Sequence, residues 1–509
     1  MSVLVLLLSG CETTSDVDAQ QAWVDVDTGL YDDLDPSEGI AWDDPNYRPE
    51  IDRWAPYGVP IDLPLGTSNA ENVADAQWKG EGEDAKLGIS VRNAGDVNGD
   101  GLNDMIMGSL NDSTGSSIDG AAYMNRAKFD TAGSNKRADA SKGRWYGSPA
   151  EKAGEQVNGG GDMDADGLDD WIIGARSWDD SVDTWKVNSG AAYVVFGYHR
   201  GNNTLPASEY RIDGNAANQF FGAGMDIIGD VDGDGYDDLG IGATGADTNG
   251  TNSGAVHVFL GPVTAATDAS AASASIGGES AGDAVGTRIF GLGDVDGDGA
   301  DDFGVGNRAE DTNGTDAGAV YIITASTMPT DLGDADFIYR GNTASFEAGN
   351  SLKHAGDLDG DGKQDFVAGA LGHGGTLGGA YVVPGDTASG KLGAVATAKV
   401  YGQLAGDQLG SDVAVGDINA DDIDDLLVAS NRQGSTDRGA FYGFYGPVTG
   451  TIAAYSADVK VVGVASSDKF GSSLDYIPNT TVDGKNTVVA GASSRGTNNK
   501  GAVYLFHVD

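Results

Sequence analysis

The sequence predicts an all-β fold, a seven-bladed β-propeller of four-stranded antiparallel blades. The first observation is an acidic, glycine-punctuated loop whose copies lie 60 to 68 residues apart, beginning at Asp96, Asp162, Asp230, Asp294, Asp357 and Asp417. The second is that each repeat holds four short apolar segments separated by Gly-rich breaks, a pattern typical of strands. A seventh unit, residues 470–506, keeps the strand pattern without the acidic loop. Seven such units indicate a propeller.

The third unit shows the order of the predicted strands. The first strand, 221–229, leads into the acidic loop, and the second, 238–244, leaves it. The third, 254–261, follows a polar loop, and the fourth, 274–278, precedes the next unit. The period is longer than that of WD or kelch repeats, and no Trp-Asp signature recurs.

The last unit ends directly after its third strand, so we expect its fourth strand to come from elsewhere. Residues 76–80, Ala-Gln-Trp-Lys-Gly, match the fourth-strand segments of the other units and lie just before the first unit. We therefore predict that the N-terminal strand completes the C-terminal blade. This arrangement would close the ring and cover strand edges that otherwise invite aggregation.

The six acidic loops share one pattern of oxygen-bearing side chains. Asp or Asn stands at positions 1, 3 and 5 and Asp at position 9, while Gly at position 6 of every loop but the sixth permits the sharp turn. Ca²⁺ takes about six to eight oxygen ligands. We therefore predict up to six calcium ions, each also bound by the backbone carbonyl at position 7. The predicted side-chain ligands are Asp96, Asn98, Asp100 and Asp104; Asp162, Asp164, Asp166 and Asp170; Asp230, Asp232, Asp234 and Asp238; Asp294, Asp296, Asp298 and Asp302; Asp357, Asp359, Asp361 and Asp365; and Asp417, Asn419, Asp421 and Asp425.

Two other interpretations of these loops are weaker. An EF-hand needs Glu at position 12, whereas the residues there are apolar and fall in the second strand. Asp-Gly loops can also be plain turns, and a single copy would not separate the two interpretations. The six sets together hold 22 carboxylates, which would repel one another without cations.

The repeats resemble the FG-GAP repeat of the integrin α-subunit propeller and its bacterial relatives. In the third unit the matching elements are Phe-Gly at 221–222, the acidic loop at 229–238, Gly-Ala at 242–243 and Gly-Ala-Val at 254–256. The resemblance covers residues 75–509. It implies a seven-bladed propeller with Ca²⁺ in its hairpin loops, on the face opposite the main ligand-binding surface.

Composition limits the partners. The net charge of −48 and the pI of about 4.1 disfavour nucleic acid and anionic lipid as partners.

Cys11 is the only cysteine, which excludes an intrachain disulfide. It follows the apolar run 3–8 and the sequence Leu-Ser-Gly, which resembles the lipobox of bacterial lipoproteins. We therefore expect residues 1–11 to be a lipoprotein signal and Cys11 to carry a lipid at the bacterial cell surface, outer membrane or periplasm; the alternative is an apolar N-terminus without a targeting role.

Residues 12–74 have the composition of a tether. They hold 15 Asp and Glu against two Arg residues, and their prolines disfavour long regular elements. We expect an acidic extended tether over 12–74 and the propeller over 75–509.

Three classes of function remain open from the sequence. A lipid-anchored, calcium-stabilised propeller suits a binding or adhesion module for a protein or glycan. Trp178 and Trp185 are its contact candidates, although packing on their own blade is the favoured interpretation of both. An architectural role in a surface layer differs only in its ligand. A carbohydrate-active enzyme is the least favoured, because the clustered carboxylates are better explained as metal ligands and no nucleophile elbow, phosphate loop or zinc signature occurs.

Overall fold

The computed structural model describes residues 66–508 except 71–73, 81, 113–118, 128–135, 138–142, 149–150, 180–185, 198–200, 206–209, 264, 326–327, 386 and 497. The predicted signal with Cys11, and most of the predicted tether, lie outside the described residues.

Seven β-sheets form the blades of a propeller, as predicted. In each blade four strands pair antiparallel in the order 1-2-3-4. The first strands of successive blades contact one another around a closed circle, so they line the axis, and the first strand of blade 7 also contacts that of blade 1. The bounds are Leu87–Gly95, Asp104–Ser109, Ala121–Asn125 and Gly143–Tyr146 in blade 1; Val157–Gly161, Asp170–Ala175, Ala191–Val195 and Arg211–Asp213 in blade 2; Phe221–Gly229, Asp238–Ala243, Ala255–Phe259 and Ala274–Gly277 in blade 3; Arg288–Gly293, Asp302–Asn307, Ala319–Ile323 and Phe337–Arg340 in blade 4; Ala348–His354, Asp365–Ala370, Gly379–Pro384 and Ala398–Tyr401 in blade 5; Leu409–Gly416, Asp425–Ser430, Ala440–Phe444 and Val459–Val462 in blade 6; and Phe470–Ile477, Asn486–Ala492, Ala502–Val508 and Ala76–Lys79 in blade 7.

The fourth strand of blade 7 comes from the N-terminal side of the chain. Ala76–Lys79 pairs antiparallel with Ala502–Val508, with Trp78 opposite Val503. The Trp78 side chain is fully buried, in a cluster that also contains Leu505 of blade 7 and Met105 of blade 1. Residues far apart in sequence therefore share one core at this junction.

Short additional strands cover the outer edges of most blades, a feature that the sequence analysis did not predict. Each pairs parallel with the fourth strand of the preceding blade and comes from the connection between the third and fourth strands of its own blade. For blade 6 the covering strand is instead Gly66–Asn69, which pairs with Val459–Val462. The N-terminal side of the chain thus supplies two strands, Gly66–Asn69, which covers the edge of blade 6, and Ala76–Lys79, the fourth strand of blade 7. The other covering strands are Lys136–Arg137, Gly201–Thr204, Thr267–Asp268, Gly390–Lys391 and Gly450–Ala453.

The hydrophobic core lies between the faces of neighbouring blades. Each of the seven clusters of buried side chains joins two adjacent blades. The third strands contribute a buried aromatic at one register position, which is His257 in blade 3 and tyrosine elsewhere: Tyr123, Tyr193, Tyr321, Tyr381, Tyr442 and Tyr504.

The helices whose full extent lies within the described residues are single turns. They lie at Ala269–Ala271, Leu332–Asp334, His373–Thr376, Leu392–Val395, Gln433–Asp437 and Ala454–Ser456. None of the helices in this part of the chain has the length and hydrophobicity needed to cross a bilayer.

Candidate metal centre

The predicted calcium loops are the hairpins between the first and second strands of blades 1 to 6. Because the same connection recurs, all six lie on one face of the ring, which we call the loop face. The connections between second and third strands, and those between consecutive blades, form the other side, which we call the opposite face.

The aspartate at position 1 organises each turn. In the third loop the backbone N–H of Asp234 donates to Oδ1 of Asp230 at 3.0 Å, and that of Gly235 donates to Oδ2 at 2.8 Å. The position-5 carboxylate in turn accepts the N–H of Tyr236 at 3.1 Å. The bond from position 6 to position 1 recurs in every loop. These bonds turn the carboxylates of positions 1 and 5 toward the inside of the loop.

The aspartate at position 9 is buried and ties the loop to the third strand. In blade 3, Oδ2 of Asp238 accepts the N–H of Val231 at 2.8 Å, and Oδ1 accepts the N–H of Gly261, after the third strand, at 2.7 Å. Both bonds recur at three other position-9 residues, Asp170, Asp302 and Asp425. Position 9 therefore has a structural role in addition to the predicted closing of the metal shell.

Burial also makes these carboxyls hard to ionise. Removal from water, reinforced by neighbouring acids of the same loop, outweighs the stabilising hydrogen bonds and raises the pKa of Asp238 to about 6. The same cause raises the pKa of Asp104, Asp365 and Asp425 to about 7 and of Asp170 to about 8. A bound cation would supply the positive charge that favours the ionised form at neutral pH.

In four loops the structure brings three carboxylates together, so that one oxygen of each lies within 4.8 Å of the others. The first and sixth loops carry Asn at position 3 and are arranged differently. Nδ2 of Asn98 donates to Asp104 Oδ2 at 2.9 Å, and Nδ2 of Asn419 donates to Asp421 Oδ2 at 3.2 Å. In these two loops the amide NH₂ of the Asn side chain, rather than its oxygen, faces the carboxylate. The carboxylate clusters are Asp162, Asp164 and Asp170; Asp230, Asp232 and Asp234; Asp294, Asp296 and Asp302; and Asp357, Asp359 and Asp361.

The fifth loop has an additional sign of a cation site. Oδ1 of Asp365 is buried and accepts no hydrogen bond from the described residues. The N–H of Gly385, which follows the third strand here, donates instead to the carbonyl of Gln364 at 2.8 Å. A buried carboxylate oxygen without a donor, in a loop of hard oxygen ligands, fits Ca²⁺ better than Zn²⁺, which prefers nitrogen and sulfur.

The sixth loop reaches the same turn without glycine. Asp422 stands where the other loops have Gly and adopts a left-handed φ of 64°. Its N–H still donates to Asp417 Oδ2, at 2.9 Å. Asp tolerates this backbone region better than most residues but less well than Gly.

The aspartate at position 8, to which the sequence analysis gave no role, forms hydrogen bonds that link neighbouring loops. Oδ2 of Asp237, in the third loop, accepts the N–H of Asp162 in the second loop at 2.7 Å, and the N–H of Asp237 donates to the carbonyl of Asp162 at 3.2 Å. The same reciprocal pair joins Asp96 to Asp169 and Asp230 to Asp301. The repeated Asp-Asp at positions 8 and 9 was the available signal in the sequence.

Blade 7 continues this contact between hairpins although its own hairpin lacks the acidic pattern. Nδ2 of Asn479 donates to the carbonyl of Gly101 in the first loop at 2.6 Å, and the N–H of Asn103 donates to the carbonyl of Asn479 at 3.1 Å. On its other side, the hydroxyl of Tyr476 donates to the carbonyl of Asp417 at 3.0 Å. The first hairpin of blade 7 therefore contacts loops 1 and 6.

Trp178 does not form an exposed contact site. Its side chain is only 6% exposed, belongs to the core between blades 1 and 2, and stacks on the guanidinium of Arg211 at 4.4 Å. Of the two interpretations of Trp178, packing on its own blade is therefore the one observed. Trp185, the other contact candidate, lies outside the described residues.

Comparison with known proteins identifies the repeat. The FG-GAP repeat family matches residues 227–259, which contain the third loop. The chain carries an integrin alpha-like FG-GAP β-propeller. It is 31% identical to integrin alpha-PS5 of Drosophila melanogaster over 161 residues, 30% of this chain and 14% of that protein. It is 26% identical to integrin alpha-PS2 of the same organism over 232 residues, 43% of this chain and 16% of that protein, and 30% identical to integrin alpha-4 of Xenopus laevis over 161 residues, 30% of this chain and 14% of that protein.

The matched part of the FG-GAP propeller corresponds to about one sixth or less of each of these integrin subunits. The likeness therefore concerns the propeller and its loops rather than the whole length of an integrin subunit.

Proposed function

We propose that this chain is a calcium-stabilised propeller that acts as a binding or adhesion module for a protein or glycan. The observation that carries the proposal is the division of the ring into two unlike faces. The loop face repeats one acidic turn six times, whereas the connections between second and third strands on the opposite face range from 8 to 15 residues and differ in sequence, although blades 3 and 4 share Asp-Thr-Asn-Gly-Thr. Repetition suits a structural role, and variation suits recognition.

Calcium would be held by the side chains at positions 1, 3, 5 and 9 and the carbonyl at position 7. When bound, Ca²⁺ neutralises the carboxylates that otherwise repel one another in each hairpin. The position-9 carboxylate also holds the third strand, through the bond from Gly261 to Asp238 and its equivalents. Calcium binding is therefore expected to stabilise the first three strands of each blade as a unit.

The ligand is proposed to bind the opposite face. Two large apolar side chains are exposed there: Val187, between the second and third strands of blade 2, is 47% exposed, and Leu404, in the connection from blade 5 to blade 6, is 57% exposed. The similarity of this chain to integrin alpha subunits supports an adhesion role. Lipid attachment at Cys11 and a tether that ends before the strand Gly66–Asn69 would hold the propeller at a bacterial membrane.

A binding screen of the full chain tests this proposal. The protein would be applied to a glycan array and used to capture surface proteins, once with saturating calcium and once after removal of calcium. We expect a partner that binds with calcium and is lost without it. Leu404→Asp should reduce binding to that partner at least tenfold, whereas Val482→Asp, in the first hairpin of blade 7 and 73% exposed, should leave it unchanged. Equal effects of the two substitutions, or binding that ignores calcium, would contradict the proposal.

A further inference from the structure

Four Asn-Gly pairs occur in the chain, and one of them lies in the first acidic loop. The pairs are Asn98-Gly99, Asn158-Gly159, Asn249-Gly250 and Asn313-Gly314. Glycine has no Cβ, so its backbone nitrogen can approach the amide carbon of the preceding asparagine with little hindrance. The four pairs share this sequence feature, and the structure around each one decides how freely the two atoms meet.

The first loop leaves the nitrogen of Gly99 accessible. Gly99 is exposed, whereas the glycines of the other three pairs are only partly exposed. The N–H of Gly99 donates no hydrogen bond within the part of the chain that the structure describes. At the same place in the third loop, the N–H of Gly233 donates to Oδ1 of Asp230 at 2.7 Å. The nitrogen of Gly99 is therefore not held by such a contact.

The side chain of Asn98 is held only within its own loop. It is half-buried, and its Nδ2 donates to Oδ2 of Asp104 at 2.9 Å. Rotation of the side chain toward Gly99 exchanges this bond for hydrogen bonds to water. No contact with another blade has to break.

The other three pairs are restrained by neighbouring elements. Nδ2 of Asn249 donates to the carbonyl of Gly278 at 3.0 Å and to Oδ2 of Asp331, from blade 4, at 2.8 Å. Nδ2 of Asn313 donates at 2.9 Å to a backbone carbonyl that follows the fourth strand of its blade. Asn158 lies within the first strand of blade 2, and its Nδ2 donates to a carboxylate of blade 3. These side chains are less free to rotate than Asn98.

We propose that Asn98 is a site of spontaneous deamidation in the calcium-free first loop. The backbone nitrogen of Gly99 attacks Cγ of Asn98, a bond forms between these atoms, and the bond from Cγ to Nδ2 breaks. Nδ2 leaves as ammonia with the proton of the Gly99 N–H, and a cyclic succinimide remains. One water molecule then opens the ring, so the net change is the gain of water and the loss of ammonia. The reaction does not depend on the calcium binding proposed above.

The ring can open in two ways, and both change the first loop. Opening at Cγ gives aspartate, so the loop acquires Asp at positions 1, 3, 5 and 9, as in loops 2 to 5. Opening at the backbone carbonyl gives isoaspartate, in which the chain runs through Cγ and the loop is lengthened by one backbone atom. Either product lacks Nδ2 and therefore loses the hydrogen bond to Asp104.

The test follows deamidation of the calcium-free full chain over time by peptide mass spectrometry. The gain in mass would be measured at Asn98, Asn249 and Asn313, and at Asn419, which has the same loop position as Asn98 but precedes Ala420. We expect Asn98 to react about tenfold faster than the other three or more, because the rate depends on how readily the reacting atoms approach. Electron-transfer fragmentation should detect isoaspartate among the products.

Gly99→Ala tests the role of the glycine nitrogen in a loop that keeps its turn. The sixth loop has alanine at this position, and Ala420 adopts a left-handed φ of 60° there. A Cβ added at Gly99 would meet only the flexible end of the Leu168 side chain, at 3.0 Å. We expect the substitution to slow the reaction of Asn98 about tenfold or more, with unchanged rates at the other sites.

Three results would overturn the proposal. The first is a rate at Asn98 no higher than the rates at Asn249 and Asn313, which would show that the loop does not favour the reaction. The second is an unchanged rate at Asn98 in Gly99→Ala. The third is aspartate without isoaspartate, which would indicate direct hydrolysis of the amide by water rather than attack by the nitrogen of Gly99.

Discussion

Replacing Trp78 with Ala removes the largest side chain of the strand that the N-terminal segment contributes to blade 7. Trp78 is fully buried between blades 7 and 1, and its strand pairs with Ala502–Val508 over four residues. Truncation of a buried Trp to Ala costs about 3–5 kcal/mol, because apolar contacts are lost and a cavity remains. We expect a loss of this size, since blade 7 has its fourth strand only through this pairing.

The magnitude also sets the expected shift in melting temperature. Unfolding entropy is about 2.1 cal/mol/K per residue, or about 0.9 kcal/mol/K for a cooperative unit of roughly 430 residues. A loss of about 4 kcal/mol therefore corresponds to a decrease of about 4 °C. Calorimetry and urea unfolding with saturating calcium would measure the two quantities independently.

Two control substitutions define the result that would refute this reasoning. Trp145→Ala makes the same change in the fourth strand of blade 1, where Trp145 is 3% exposed. Tyr455→Ala removes an aromatic that is 78% exposed and should change stability by less than about 0.5 kcal/mol. If Trp78→Ala costs less than about 1 kcal/mol while Trp145→Ala costs about 3–5, the N-terminal strand does not hold blade 7.

Substitutions at three further positions test separate features. Asp237→Ala should cost about 1–3 kcal/mol in urea unfolding, because the N–H of Asp162 loses its acceptor. Asp237→Asn, which keeps an acceptor oxygen at that place, should lower the free energy of unfolding by less than half as much. Equal losses for the two variants would contradict a stabilising hydrogen bond between the loops. Asp422→Gly should raise the free energy of unfolding by about 1 kcal/mol, because the left-handed φ of 64° costs an L-residue roughly 1–2 kcal/mol and the greater flexibility of Gly in the unfolded chain offsets only part of that gain; a loss would show that the side chain itself is needed. Burial lowers the pKa of His257 to about 4. The stability that its neutral form contributes is therefore complete above about pH 6.5 and falls by about 1.4 kcal/mol per unit as the pH drops toward the folded-state value. His257→Tyr, the residue at this register in the other blades, should remove that part of the acid sensitivity, and parallel stability curves for the two proteins between pH 6.5 and 4.5 would contradict it.

The repeat itself made most of the fold predictable. In the third unit the predicted first strand, 221–229, is the observed one, and the second begins at Asp238 as predicted. The loop spacing and the alternation of apolar residues were sufficient there, because both are local properties of the chain. The covering strand Gly66–Asn69 was missed because its pairing with Val459–Val462 depends on which blades become neighbours.

The site was predictable in its residues and less so in their roles. The Asp pattern predicted the loops, and four of them bring carboxylates together. Counting ligands could not show that Asp238 also accepts the N–H of Gly261, or that Asp237 reaches into the neighbouring loop. Both contacts join segments that only the folded ring brings together. The ion pairs between first strands, Arg92 with Asp412 and Lys353 with Asp475, were missed for the same reason, since the members of each pair belong to different blades.

The central claim is that calcium ions bind the acidic loops and stabilise the propeller. Calcium binding by the calcium-free protein tests it most directly. Isothermal titration of calcium into resin-treated full chain would give the number of ions bound, and thermal unfolding of the same samples would give the stabilisation. We expect four to six ions and a large rise in melting temperature, since each site filled at a hundredfold excess over its dissociation constant contributes about 2.7 kcal/mol. Fewer than two ions, or a melting temperature that calcium does not change, would contradict the account.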